Sequence, residues 1–217
     1  MKQHGLRLLV KRSFDVAAAG AILVAAAPVI AATALAVRAT MGSPVLFRQL
    51  RPGRNGNPFM LLKFRSMNDS RNADGSLAPD EMRLTRVGRL LRSTSIDELP
   101  QLLCVLRGEM SIVGPRPLLM KYLRLYSQEQ ARRHDVLPGI TGWAQINGRN
   151  AIDWDAKFSL DTWYVDNWSL WLDIRILGMT IVRVLQRHGV AKSGHATMPE
   201  FTGASTSPNL ENSTRPE

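Results

Sequence analysis

The apolar run FDVAAAGAILVAAAPVIAATALAV, residues 14–37, constrains this chain more than any other stretch. It is long enough to cross a bilayer, which takes about 20 apolar residues. A signal peptide fits poorly, because its apolar core should be about 7–15 residues and end at a small-residue cleavage site. A plain spanning helix meets two objections. Pro28, near the middle, removes a backbone hydrogen bond and clashes with the carbonyl four residues back. Basic residues flank both ends, Lys11 and Arg12 before and Arg38, Arg48 and Arg51 after, whereas a spanning helix places its excess of positive charge on one side. A helix that enters, breaks at Pro28 and leaves on the same face satisfies both observations. Asp15 is expensive in hydrocarbon unless it stays near Lys11 or Arg12.

The charge balance narrows the partners. Lys and Arg number 28 against 18 acids in 217 residues, a net charge of +10. That excess points to a polyanion: nucleic acid, anionic lipid or a phosphorylated substrate. Cys104 is the only cysteine, which excludes an intrachain disulfide and a cysteine-built zinc site. It lies in LPQLLCVL and reads as a buried apolar filler. His4, His134, His188 and His195 show no ligand-like spacing.

Past the apolar run, residues 45–50 and 58–64 read as two strands of a hairpin around a Pro/Gly/Asn turn. Residues 68–81 are polar and turn-rich, a loop. Arg83, Arg86, Arg89 and Arg92 recur every three residues and would fan around a helix rather than form one stripe. A helix is expected after Pro100, through QLLCVLRGEM, then a rigid extended loop at SIVGPRPLL. Residues 118–135 read as one further helix, and PGITGWAQINGRN, 138–150, as a loop. Trp154, Trp163, Trp168 and Trp171 suit either a core or a membrane interface. The last helix, about 172–188, carries Arg175, Arg183 and Arg187 and suits either core packing or an anionic membrane surface. These signals predict an α+β, mostly helical fold. It would have a re-entrant membrane helix over 1–40, a catalytic domain over 41–190 and a disordered tail over 191–217 rich in Ser, Thr, Pro, Gly and Asn.

Asp97 and Glu98 in SIDELPQ admit two readings. Ser95-x-x-Glu98 fits a capping box, although Pro100 would then fall past the first helical turn. An N-cap at Asp97 accommodates the proline better. The catalytic reading starts from the repulsion between two adjacent carboxylates, which cations must offset. Lys63, Arg92, Arg116 and Arg149 lie where they could converge. Carboxylates among cations suit a divalent metal bridged to a phosphate.

The combination KRSFD, an apolar run with a central proline, LLKFRSM, SIDELPQLLCVLRGEMSIVGPRP and PGITGWAQINGRN resembles the bacterial sugar transferase family. More narrowly, it resembles the small monotopic phosphoglycosyl transferases, over about residues 8–188. The resemblance implies an enzyme that moves a sugar 1-phosphate from a UDP-sugar to undecaprenyl phosphate and releases UMP. It would work at the cytoplasmic face of the bacterial inner membrane, in the first membrane step of glycoconjugate synthesis. Asp97 would be the nucleophile, forming an acyl phosphate that carries the sugar, and Glu98 its partner. Both would hold Mg²⁺. Lys63, Arg92, Arg116 and Arg149 would bind phosphates or nucleotide. Lys11 and Arg12 would meet lipid headgroups or the polyprenyl phosphate, and Pro28 would set the re-entrant break. Some family members have Ser-Pro at that break; here the pair is Ala27-Pro28. Larger members carry extra N-terminal membrane helices, so this chain is expected to be the minimal catalytic unit.

Two other classes compete on the residues alone. A basic nucleic-acid-binding protein with an anchor is permitted by charge, but zinc-finger spacing and RNP-type aromatics are missing, and no nucleic acid is expected. A membrane scaffold in which the dyad merely caps a helix is the other. The donor sugar and the oligomeric state are not legible.

Overall fold

The computed structural model describes residues 5–148, 152–185 and 200–203. The apolar run forms two helices, α1 (Gly5–Ala25) and α2 (Ala27–Met41), bent by 63° at their junction. Pro28 sits in the first turn of α2, where its missing N–H is tolerated. No side chain caps the junction at Ala26, so the bend forms without a hydroxyl. Among the described residues no single helix is long and apolar enough to cross a membrane, while the bent pair passes that test together.

Helix α1 is inverted relative to an ordinary surface helix. Its protein-facing side buries Lys11, Asp15 and Ala19, spaced by one helical turn. Leu6, Leu9, Val10, Val16 and Val24 are exposed instead. The bent pair is held at its two ends. Lys11 Nζ lies 2.6 Å from Asp173 Oδ2 and 3.7 Å from Asp15 Oδ1. The Ile112 amide donates to Asp15 at 3.3 Å, and Trp168 Nε1 donates to Asp173 at 3.1 Å. The Tyr164 hydroxyl lies 2.8 Å from Asp173 Oδ1 and 3.1 Å from the Val113 carbonyl, and donates to one of them. Burial pushes the Asp173 carboxyl up, against the pull of Lys11, Tyr164 and Trp168. At the far end, Val37 of α2 packs with Phe64 and Leu91.

Both members of the basic pair have partners within the protein. Lys11 is 3% exposed and neutralises buried carboxylates. Arg12 donates to the Val105 and Leu106 carbonyls at 2.5 and 3.0 Å, where a cation complements a helix C-terminus.

The remaining chain supplies a small helical body with two short sheets. Strands β1 (Leu46–Pro52) and β2 (Pro58–Phe64) form the expected antiparallel hairpin, in the register Leu46↔Phe64 to Pro52↔Pro58. The short helix α3 (Asp80–Arg83) leads into α4 (Arg86–Thr94), which carries three of the four regularly spaced arginines, Arg86, Arg89 and Arg92. Helix α5 (Gln101–Arg107) ends at Gly108, whose φ of 84° suits glycine. Then comes β3 (Ser111–Val113). Residues 118–135 do not form one helix. Ser127 is extended (φ −65°, ψ 165°) and starts a new helix, α6 (Gln128–Ala131), through a reciprocal capping box with Gln130. The expected loop at 138–150 contains β4 (Gly139–Thr141) and α7 (Trp143–Asn147). Strand β4 pairs in parallel with β3, and a Cβ on Gly139 would meet the Gly114 amide at 2.0 Å, so this crossing requires glycine.

Helices α8 (Trp154–Asn167) and α9 (Leu170–Leu185) close the body. The core gathers Phe59, Leu62, Leu102, Val105, Ile112 and Ile176, and Cys104 is fully buried in it as expected. The tryptophans divide between environments. Trp168 is buried, Trp163 stacks on Trp143 at 4.8 Å, and Trp171 is exposed. The expected tail over 191–217 lies outside the described residues except at 200–203, where Phe201 docks on the body. That side chain is 2% exposed and packs with Tyr122, Trp154 and Phe158, because a ring inserted among aromatics gains more from burial than its short segment loses in freedom.

Candidate active site

The SIDELPQ segment lies between α4 and α5. Ser95 adopts a left-handed conformation (φ 58°, ψ 14°) that ends α4, and Ile96–Glu98 form a single 3-10 turn. Neither capping reading survives. Ser95 makes no side-chain cap bond, and Pro100 takes the N-cap position of α5 without one either. Both carboxylates are therefore released from helix duty.

Glu98 is gripped by cations from two other elements. Its Oε1 accepts from Lys63 Nζ at 2.7 Å, on β2, and from Arg116 Nη2 at 2.6 Å, in the loop after β3. Its Oε2 has only a 3.5 Å contact with Arg116 Nη1. Burial opposes charge on Glu98, but Arg116 and Lys63 outweigh it and hold the carboxyl well below the usual carboxylate range. Asp97 is 8% exposed, and its carboxylate has no hydrogen-bond partner among the described residues. Burial, and then Glu98 beside it, push this carboxyl up to about 6 against the pull of Lys63, Arg116 and Arg92. Two neighbouring acids are thus driven apart, one firmly ionised and one poised near neutrality.

The cations are themselves held. Arg92, at the end of α4, donates to Ser66 Oγ at 3.0 Å. The Arg116 carbonyl accepts from Arg133 Nη2 at 2.7 Å, and Arg133 pairs with buried Asp161 at 2.7 Å. Lys63 is pulled down by burial and by Arg116, with Glu98 raising it in part. Of the residues expected to converge, Lys63, Arg92, Asp97, Glu98 and Arg116 do so, while Arg149 lies outside the described residues. Sequence reasoning missed Arg133 and Asp161, which form a buried pair supporting Arg116. It also missed Lys157, whose ammonium burial and Arg116 bring down to about 8. An Arg-Arg-His run and a lone Asp inside a helical pattern look the same as a solvated surface, so no local signal marked them.

The placement of Arg92 depends on a close approach. Gly88 of α4 rests on the Ser66 backbone, and an added Cβ would lie 1.8 Å from the Ser66 carbonyl oxygen. Gly88→Ala should therefore lower stability by about 1–3 kcal/mol despite the better helix propensity of alanine, measured by thermal unfolding. Unchanged stability would mean that α4 can slide away from Ser66.

Carboxylates set among fixed cations suit chemistry on phosphate groups, whose oxygens the cations can take up. The chain belongs to the bacterial sugar transferase family, whose model, described as bacterial sugar transferase, matches residues 6–187. It is 57% identical over 197 residues to an uncharacterized sugar transferase, EpsL, of Bacillus subtilis, covering 91% of this chain and 98% of that protein. It is 40% identical over 190 residues to a UDP-glucose:undecaprenyl-phosphate glucose-1-phosphate transferase of Klebsiella pneumoniae. It is also 40% identical over 196 residues to an undecaprenyl-phosphate galactose phosphotransferase of Salmonella typhimurium. Those two matches cover 83% and 82% of this chain but 41% of each relative, so the chain spans about two fifths of their length.

Proposed function

We propose that this protein is a polyprenyl-phosphate phosphoglycosyl transferase that moves a sugar 1-phosphate from a UDP-sugar to undecaprenyl phosphate. The observation that carries the reading is the asymmetry of the dyad: Glu98 neutralised by Lys63 and Arg116, Asp97 unbonded and held near pH 6. A carboxylate in that state is largely ionised at neutral pH yet more basic than an ordinary aspartate, which suits a nucleophile. Asp97 attacks the β-phosphorus, the bond to the bridging oxygen breaks, and UMP leaves. The polyprenyl phosphate oxygen then attacks the same phosphorus and frees Asp97. Lys63, Arg92 and Arg116 hold the phosphate oxygens through both steps.

The dyad also fits magnesium. Among the described residues no group of three or more His, Cys, Asp or Glu could hold a metal. Mg²⁺, however, commonly takes one or two carboxylates and completes its shell with waters and substrate phosphates. Asp97 and Glu98 Oε2 are the oxygens left for it. When bound, the ion would neutralise phosphoryl charge as the nucleophile approaches. The exposed apolar side chains of α1 and α2, with Val24 78% exposed near the bend, support seating the pair as a re-entrant anchor in the cytoplasmic leaflet. That seat brings the dyad to the level of the acceptor's phosphate.

The test is nucleotide release from detergent-solubilised protein with Mg²⁺, undecaprenyl phosphate and a panel of UDP-sugars. UMP should appear with one donor, and without acceptor a phospho-sugar adduct should accumulate on Asp97. Release of UDP would overturn the reaction. The pH dependence follows from the nucleophile's need to be ionised. The value of kcat/KM should fall about tenfold per pH unit below about 6 and level off above it. An acid limb near 4 would mean that Asp97 is not held up by its surroundings.

A further inference from the structure

Beside the dyad lies a cavity of about 60 Å³ whose polar walls are Arg51, Lys63, Gln101 and Arg116, with Leu61 and Leu118 completing it. Three of these four polar groups are cations. Glu98 already takes up Lys63 and Arg116. Among the described residues Arg51 has no carboxylate: its Nη2 donates to Gln49 Oε1 at 2.5 Å and its Nη1 to the Pro117 carbonyl at 3.4 Å. Two buried donors of this cavity are left without partners among the described residues, Arg51 Nε and Gln101 Nε2, and Gln101 is 2% exposed. Buried donors in folded proteins are rarely left unsatisfied, so each requires an explanation. Burial and the nearby Arg116 also bring Arg51 down to about 10, a mark of positive charge without its counter-charge.

The size and position of the cavity define what would satisfy it. It has room for a few waters or one phosphoryl group, and none for a nucleoside or a sugar ring. Arg51 pairs with Phe59 at the turn end of the hairpin. Helix α2 packs at the opposite, open end, where Val37 meets Phe64. The Arg51 wall of the cavity thus lies at the hairpin end opposite the α2 contact.

We propose that Arg51 and Gln101 form a phosphate-oxygen subsite for the nucleotide side of the donor diphosphate. This inference rests on the reading of Asp97 and Glu98 as a dyad acting on a sugar nucleotide. As the bridging bond breaks, negative charge gathers on the departing nucleotide phosphate. A guanidinium and an amide fixed in place stabilise that charge without reorganising. The subsite then acts in the first half-reaction and not in the second.

The experiment uses the full chain in detergent, with UMP and inorganic phosphate as probes in thermal-shift titrations, alongside steady-state kinetics. Arg51→Gln should weaken UMP binding roughly 10- to 100-fold, the loss expected for a charge-assisted bond, and raise the donor KM correspondingly. The KM for undecaprenyl phosphate should stay within about twofold. Gln101→Glu puts a carboxylate into the cavity that Arg51 lines without a counter-charge. It should raise the melting temperature of the unliganded protein while weakening both probes, a pair of effects that a merely structural glutamine would not give. Unchanged UMP affinity in both variants, or a shift confined to the lipid acceptor's KM, would overturn the assignment, as would a wild-type protein that binds neither probe. Probe binding lost in the variants from a wild type that turns over no UDP-sugar would leave the subsite standing and sink the proposed reaction. Normal turnover with unaltered variants would do the reverse.

Discussion

Asp97→Asn is expected to abolish sugar-phosphate transfer and at the same time make the protein more stable. The loss follows from the nucleophile: an amide oxygen cannot form the acyl phosphate, so turnover should drop at least about a thousandfold. The gain follows from linkage. Burial and Glu98 raise the Asp97 carboxyl to about 6 in the folded protein, against about 3.9 for an unfolded aspartate. Below the unfolded value both states hold the proton and nothing is lost. Between the two values the folded state retains a proton that the unfolded state has released. Above about 6 both are ionised, and the folded state bears the full cost of the charge. Near pH 7.5 that cost is about 1–3 kcal/mol, so the Asn variant should melt several degrees higher there. The difference should vanish by pH 4. A variant that melts lower at pH 7.5 would show that Asp97 is held comfortably as an anion. A variant that still accumulates the phospho-sugar would remove Asp97 from the chemistry altogether.

The two halves of this result exclude different alternatives. A capping aspartate would leave activity intact, because asparagine caps nearly as well, and would not stabilise when neutralised. Ser95 in the left-handed region and Pro100 at the start of α5 already place the dyad outside any cap.

How much of this was legible in the sequence depended on the range of the interaction. The hairpin could be read because its alternating apolar positions and its Pro/Gly/Asn turn are local. The bend at Pro28 could be read because proline acts on its own helix. The dyad and its cations were recognised as types that belong together, but the way they share charge was not. That Glu98, and not Asp97, takes both Lys63 and Arg116 is set by β2 and the loop after β3 meeting across the 3-10 turn. The β3–β4 pairing was missed because each strand has only three residues, too few to show a period, and the strands are parallel and distant in sequence. Residues 118–135 read as one helix because apolar spacing alone does not reveal an extended Ser127. Phe201 was lost in a composition that argued for disorder, since one ring can dock without changing its neighbours' average polarity.

Lys11 gives the sharpest contrast between a local reading and the folded environment. Next to an apolar run, a Lys-Arg pair reads as a headgroup contact. In the fold, Lys11 is the cation for Asp173, which is fully buried, and stands one turn from Asp15, which is 1% exposed. Lys11→Met keeps the length and the apolar stem but leaves two buried carboxylates without a cation. Removing one partner of a buried pair costs about 3–5 kcal/mol, which for a chain of this size should lower the melting temperature by roughly 10 °C. The double variant Lys11→Met, Asp173→Asn removes both charges and should recover most of the loss, because a buried ion pair exchanged for neutral groups is often close to neutral in stability. A headgroup-binding lysine predicts the opposite pattern: an unchanged melting temperature in detergent, a higher KM for undecaprenyl phosphate, and no rescue by Asp173→Asn. Measuring both quantities on the same three proteins decides between them. It also tests the logic of α1, whose charged side faces the protein and whose apolar side faces out. If the melting temperature holds, the arm is anchored by something other than the Lys11–Asp173 pair. If it falls and is rescued, the anchor is a buried charge network that fixes the angle at which the apolar arm leaves the body.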